Sequence, residues 1–155
     1  LSLHDALPIY PMPRYYRQAP LNSIWEGSGN VQCLDVLRAL AKEPNVKEAL
    51  FSELKTQAGK NKHYDIHLSK LFDELSNTQN METRSRYLTE QMALALQACS
   101  LLATSLDNDN ALIDIAHTFC ESRLGNACGF ALGTLPDTTP FEKIIAFGQV
   151  SSRAC

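Results

Sequence analysis

Apolar residues along this chain recur at intervals of three and four and nowhere sustain a two-residue alternation, so the pattern predicts helices and no sheet. Val31, Leu34, Leu37 and Leu40 fall three apart, Val36 and Ala41 widen their stripe, and Pro44 stops it. Ser28 stands where an N-cap is needed, which predicts a helix over 29–42. Asn45 is placed to cap a second helix whose stripe holds Val46, Ala49, Leu50, Leu54 and Ala58, with Gly59 closing it in a left-handed turn. A third helix carries Tyr64, Leu68, Leu71, Phe72 and Leu75 and ends in the polar cluster 76–80. A fourth, over 81–106, is polar in its first turns and nearly all apolar from Met92, which makes its second half central. After a polar turn at 107–110, with Asp109 or Asn110 as cap, a fifth helix bears Leu112, Ile115, Ala116, Phe119, Cys120 and Leu124. Gly125, Gly129 and Gly133 then recur every four residues, a spacing that favours close helix packing over fraying. Pro136 and Pro140 break the chain before a short helix over 141–147. At the other end Pro11, Pro13 and Pro20 predict an extended segment over 10–22. The fold class is therefore all-α, an antiparallel helical bundle with short loops.

Composition narrows the class of function. Fourteen Lys and Arg against 17 Asp and Glu give a net charge of -3, so no global positive field draws nucleic acid or an anionic membrane. The five cysteines, Cys33, Cys99, Cys120, Cys128 and Cys155, are odd in number, widely spaced and free of any CxxC pair. That argues against metal knuckles and a disulfide framework, and for a reducing, cytoplasmic setting. The most apolar window, 92–103, is interrupted by Gln97 and Ser100 and falls short of the roughly 20 residues of a membrane span. Leu1 to Ile9 do not run on sensibly into the residues after them. They read as a non-native leader, translated adapter or vector sequence, with a genuine short amphipathic leader as the alternative.

The chemistry concentrates between Pro13 and Leu40, in PRYYRQAPLNSIWEGSGNVQCLDVLRAL. Glu26 follows Trp25 and precedes Gly27, Ser28 and Gly29, a turn that leaves backbone amides uncovered at a helix N-terminus. An indole that keeps water from a carboxylate raises its pKa toward the range of a general base. The plainer reading makes Glu26 a surface residue and Ser28 merely a cap.

Residue identity adds what spacing does not. IWEGSGNVQ resembles the signature of the acyl-CoA dehydrogenase superfamily, in which an aromatic residue, Glu, Gly and a small hydroxyl residue precede the final core helix. The whole 28-residue stretch resembles that superfamily's AidB-type branch, including Trp25 and the LNS and CLDVLR flanks. The resemblance implies an FAD flavoprotein that dehydrogenates an acyl-CoA-type thioester across its α,β bond, with Glu26 as the catalytic base. It also implies that Gly27, Ser28 and Asn30 contact the flavin or its nucleotide tail. Ser28, Gly29 and Asn30 depart from the commoner family pattern. The implied domain plan is a leader over 1–9, the end of the dehydrogenase helical domain over 10–43, and a helical extension of the AidB type over 44–155. The chain is expected to be incomplete at its N-terminus, because the helical and β-domains that precede this segment in the family are not in it.

The same branch is implicated in DNA binding during the response to alkylation, which makes double-stranded DNA an alternative partner with Arg38 as its contact. A third reading is a helical oligomerisation module, since the family packs its C-terminal helices into a dimer of dimers. Charge speaks against DNA: from residue 100 onward Arg123, Lys143 and Arg153 face Asp107, Asp109, Asp114, Glu121, Asp137 and Glu142. The Lys55, Lys60, Lys62 and Lys70 run, with Arg84 and Arg86, reads as a solvated helix face, and Arg38 pairs equally well with Asp35 at i-3. His63 and His67 have the i, i+4 spacing of metal ligands but no HExxH glutamate and no third ligand, so they read as an exposed pair. Cys99 and Cys120 fall in apolar stripes and read as core.

Overall fold

A computed structural model describes residues 11–24, 29–104, 110–125 and 135–148. Every regular element among them is helical: α1 (Pro11–Gln18), a 3-10 turn (Ala19–Ser23), α2 (Asn30–Lys42), α3 (Pro44–Lys55), α4 (Lys62–Ser76), α5 (Ser85–Thr104), α6 (Asn110–Leu124) and α7 (Phe141–Gly148). The all-α expectation holds. None of these helices is long and apolar enough to cross a membrane.

The core forms around α5. Its buried residues Leu88, Met92, Ala95, Cys99 and Leu102 alternate four and three apart, the spacing that keeps one seam turned toward packed neighbours. Tyr64, Leu68, Leu71 and Leu75 of α4 repeat the rhythm, and Leu37, Leu54, Ala116 and Cys120 complete a single buried cluster drawn from α2 to α6. Each fully buried large side chain contributes roughly 1.5–3 kcal/mol. Tyr64 is completely buried, and its hydroxyl donates to the Leu54 carbonyl at 2.7 Å, so the phenol brings no unpaired polar atom into the core.

The structure corrects the reading of the helix bounds and faces. The segment expected to be extended over 10–22 is helical from Pro11 onward. Pro11 and Pro13 occupy the first turn of α1, where the missing N–H groups would have no helical partner anyway, and Pro20 opens the 3-10 turn in the same way. Helix α3 starts one residue before the expected cap: Pro44 takes its first position and forces Glu43 extended (φ -122°, ψ 93°), so Asn45 lies inside the helix. Ala49 and Ala58 are exposed, and the inward stripe of α3 runs through Leu50, Phe51 and Leu54. In α2 the inward face is Cys33, Val36, Leu37 and Leu40, while Val31, Leu34 and Ala41 face outward. Finally, α5 begins at Ser85 and not at 81, because 81–84 is a chain of turns after Asn80 (φ 51°), held by Arg84.

Polar joints fix how the helices meet. Arg84 pairs with Glu74 and donates to the carbonyls of Asn77 (2.8 Å) and Gln79 (3.0 Å), closing the α4–α5 connection. Lys47 Nζ donates to the Leu75 carbonyl at 2.9 Å, placing a cation on the negative end of α4. Nearby Phe51 and Phe72 stack with centroids 4.2 Å apart. Asn61 caps α4, its Oδ1 accepting from the amides of His63 (2.9 Å) and Tyr64 (3.3 Å), while its Nδ2 donates to His117 Nδ1 of α6 at 2.9 Å. Gly59 ends the preceding turn with φ 84°, the left-handed conformation expected of it. At Gly125 a Cβ would strike the Glu121 carbonyl of the helix just ended and stand 3.5 Å from His63 Nδ1 of α4, so this glycine answers to the local path of the chain at the end of α6. Gly129, Gly133 and the turn at 107–109 lie outside the described residues.

Because Asn61 is at once a cap and the link between α4 and α6, Asn61→Ala is expected to destabilise the protein by about 1–2 kcal/mol. A fall in the urea midpoint at constant slope is the measurement; an unchanged midpoint would show that neither bond contributes.

Candidate functional site

The motif that carried the sequence argument meets the described structure at the opening of α2. Trp25, Glu26, Gly27 and Ser28 lie outside the described residues, so the base and two of the three implied flavin contacts are not placed. What is placed is the helix they lead into. Gly29 is its N-cap, with φ 71° and ψ -108°, a conformation that L side chains rarely adopt. The Gly29 carbonyl accepts the Cys33 amide at 3.1 Å, the first bond of the helix. The N-cap position therefore falls on Gly29, one residue after the expected Ser28, and no side chain of the described residues caps α2. The glycine has a reason that spacing alone did not reveal: the chain must turn sharply here to enter the helix.

Asn30 opens α2 and is exposed. Across from it stands Arg86, exposed, in the first turn of α5, whose Nη1 donates to Asn30 Oδ1 at 3.3 Å. These residues, with Ala19, Asn22, Ser23 and Gly29, line an open cleft of about 580 Å³. No carboxylate is among its described lining residues. The cleft thus gathers two sources of positive potential, the N-terminal end of α2 and a guanidinium, together with side-chain amides. A donor-rich surface of that kind suits an acceptor-rich or anionic group. Sequence reasoning named Asn30 but read Arg86 only as part of a solvated face. The 56-residue separation of the pair left no local spacing by which to find it.

Other singled-out residues are accounted for. Arg38 is exposed and paired with Asp35 three residues earlier, as the plainer reading had it. Lys55, Lys62 and Lys70 are exposed, as a solvated face requires, although Lys55 lies 5.6 Å above the Phe72 ring. Lys60 is half-buried against Gln57, and Arg84 is engaged as described. The two histidines are not an exposed pair. His67 is buried at 7% exposure, with Nε2 donating to the Gln91 carbonyl at 3.1 Å, while His63 is half-buried at the start of α4. The period of α4 explains it, since position 67 falls between the seam residues Tyr64 and Leu71. Among the described residues no group of three His, Cys, Asp or Glu is placed to hold a metal ion. Cys99 and Cys120 are buried core residues; burial pushes the Cys120 thiol up to about 11, which leaves it unreactive.

With this geometry in view, the chain is similar, over part of its length, to a protein described as an acyl-CoA dehydrogenase. The relative that carries this is AidB of Escherichia coli (strain K12), to which the chain is 40% identical over 83 residues. Those residues are 54% of this chain and 15% of AidB, so the matched part spans only a small share of that protein's length. No family model and no solved structure matches the chain.

Burial of His67 gives a pH dependence. Desolvation lowers its pKa below 6.5 against the raising effect of the Gln91 carbonyl, and Lys70 lowers it further. A histidine that protonates less readily when folded binds more protons in the unfolded chain. Its contribution to stability is complete above about pH 6.5 and is lost as pH falls through the folded pKa. Denaturant midpoints should therefore drop between about pH 7.5 and pH 5, and the part of the drop due to this residue should vanish in His67→Gln. An identical pH slope in the variant would exclude His67 as its source.

Proposed function

We propose that this chain is the C-terminal helical part of an FAD-dependent acyl-CoA dehydrogenase-like flavoprotein, with Glu26 as the base that takes the α-proton of an acyl thioester. The observation that carries the reading is the IWEGSGN motif leading into α2, within a chain 40% identical over 83 residues to AidB. The residues present fit the flavin nucleotide: Gly29 permits a sharp approach, and Asn30 and Arg86 offer donors in a cleft whose described lining has no carboxylate. When bound, the flavin supplies the redox chemistry by accepting the β-hydride. Glu26 takes the α-proton in the same event, so its carboxylate must stand ionised and within hydrogen-bond reach of the substrate α-carbon. Gly27 and Ser28, with Asn30, serve to hold the cofactor side of the turn.

The outer face of α2 supports the same reading. Val31 and Leu34 are exposed there, and Tyr15, Tyr16 and Ile24 are 60%, 72% and 73% exposed on the elements before it. Exposed large apolar side chains suit burial by a partner surface, and in the proposed flavoprotein the domains that complete the flavin and acyl pockets would cover these. The alternatives, double-stranded DNA contacted through Arg38 and assembly into a dimer of dimers, describe uses of the same full-length protein. For DNA, the Asp35 pairing of Arg38 and the acidic balance make the dehydrogenase reading the stronger one.

Glu26→Gln in the full-length protein keeps the shape of the side chain and removes the base. Turnover of an acyl-CoA is expected to fall at least about a hundred-fold while the flavin absorbance per protein stays constant. Unchanged turnover would remove Glu26 from the chemistry. The present 155-residue chain by itself should be inactive and purify without stoichiometric flavin, which its visible spectrum tests directly.

A further inference from the structure

Arg86 sits in the first turn of α5, where a cation meets the positive end of a helix and is disfavoured by its dipole. Its position is thus not explained by the helix it belongs to. Arg84 pairs with Glu74 and Arg38 with Asp35, whereas Arg86 has no carboxylate partner among the described residues. Its guanidinium instead crosses to α2, where Nη1 donates to Asn30 Oδ1 at 3.3 Å and lies 4.0 Å from the point a Cβ on Gly29 would occupy.

This contact fixes the direction of the Asn30 amide. A guanidinium has five donors and no acceptor, and a primary amide has one acceptor end and one donor end. The Asn30 oxygen must turn to Arg86, and its NH2 group must turn away. No protein acceptor meets that NH2 among the described residues, and Asn30 and Arg86 both line the cleft. We propose that Arg86 is a positioning residue: by holding the oxygen of Asn30 it presents the Asn30 NH2 donors to an acceptor oxygen or nitrogen of the flavin nucleotide in the cleft. The inference rests on the reading that this cleft faces the flavin. It goes beyond that reading by making α5, in the extension after the motif helix, a working part of the site.

Substitution at Asn30 separates orientation from packing. Asn30→Asp keeps an acceptor for Arg86 and strengthens the pair by adding charge, but it has no donors. In the full-length protein its thermal midpoint should stay level or rise, while its dissociation constant for FAD, read by flavin fluorescence, rises about five-fold or more, the worth of one hydrogen bond. Arg86→Ala should weaken FAD binding to a similar degree, and Arg86→Lys, which again offers only donors, should recover most of it. Wild-type FAD affinity in Asn30→Asp or in Arg86→Ala overturns the proposal, as does a lysine variant no better than the alanine one. Glu26→Gln measured in parallel keeps the two readings apart. If it turns over normally while Asn30→Asp loses FAD, the base assignment fails and the role of Arg86 stands. If Glu26→Gln is inactive while Asn30→Asp and Arg86→Ala hold FAD, the reverse is true. A full-length protein that binds no FAD overturns both.

Discussion

The structure depends on one apolar seam. Leu88, Met92, Ala95, Cys99 and Leu102 turn the same side of α5 inward over its 20 residues, and α2, α3, α4 and α6 all pack against that helix. Small residues at 95 and 98 and large ones at 88 and 102 alternate in size along the seam, which gives leucines from α3 and α4 room to seat against it. A polar group on this seam would face four neighbours and have no water to turn to. The one phenol in the cluster, on Tyr64, is tolerated because a main-chain carbonyl of α3 receives its proton at 2.7 Å.

Apolar seams set which faces meet but only weakly set how far the helices slide along one another. Here polar joints at the helix ends supply the register. Asn61 links the start of α4 to α6, Lys47 fastens α3 to the last carbonyls of α4, and Arg84 gathers the α4–α5 connection onto itself. Each uses a group that a helix end leaves unpaired or a donor-rich side chain that can span a gap. Because they stand at ends and connections, they act on the loops as much as on the helices, and the path of the chain between elements is set by them.

Legibility in the sequence divides along the same line. Seam positions repeat at three and four, so α4, α5 and α6 were legible from Leu68, Leu71, Leu75, Met92 and Cys120. End positions were not. Prolines at 11, 13 and 20 looked like breakers because a proline at a helix start and one that ends a helix are the same residue in the sequence; only the number of residues following distinguishes them. The inward turn of α2 was misjudged because both its faces are apolar, and periodicity cannot tell which of Val31–Leu34 or Cys33–Leu37 finds a partner. The i, i+4 spacing of His63 and His67 suggests one exposed face, whereas His67 flanks the α4 seam beside Tyr64 and Leu71 and His63 lies farther from it. At the site, residue identity made the motif recognisable, yet the partner of Asn30 came from a separation of 56 residues that no local pattern encodes.

That separation bears on how the extension relates to the motif. Leu37 of the motif helix belongs to the same buried cluster as Leu88 and Leu102, so α2 and α5 share a core and do not merely touch. A helix held along its length by α5 cannot shift its first turn independently. The opening of α2, where a glycine with φ 71° sets the entry of the chain, is therefore stiffened from behind by packing and from the front by Arg86. The base proposed at Glu26 would gain from such a mount, because a displacement of about 1 Å can cost a hundred-fold in rate. In physical terms the later helices splint the opening of α2, so the proposed site at that opening shares one core with them.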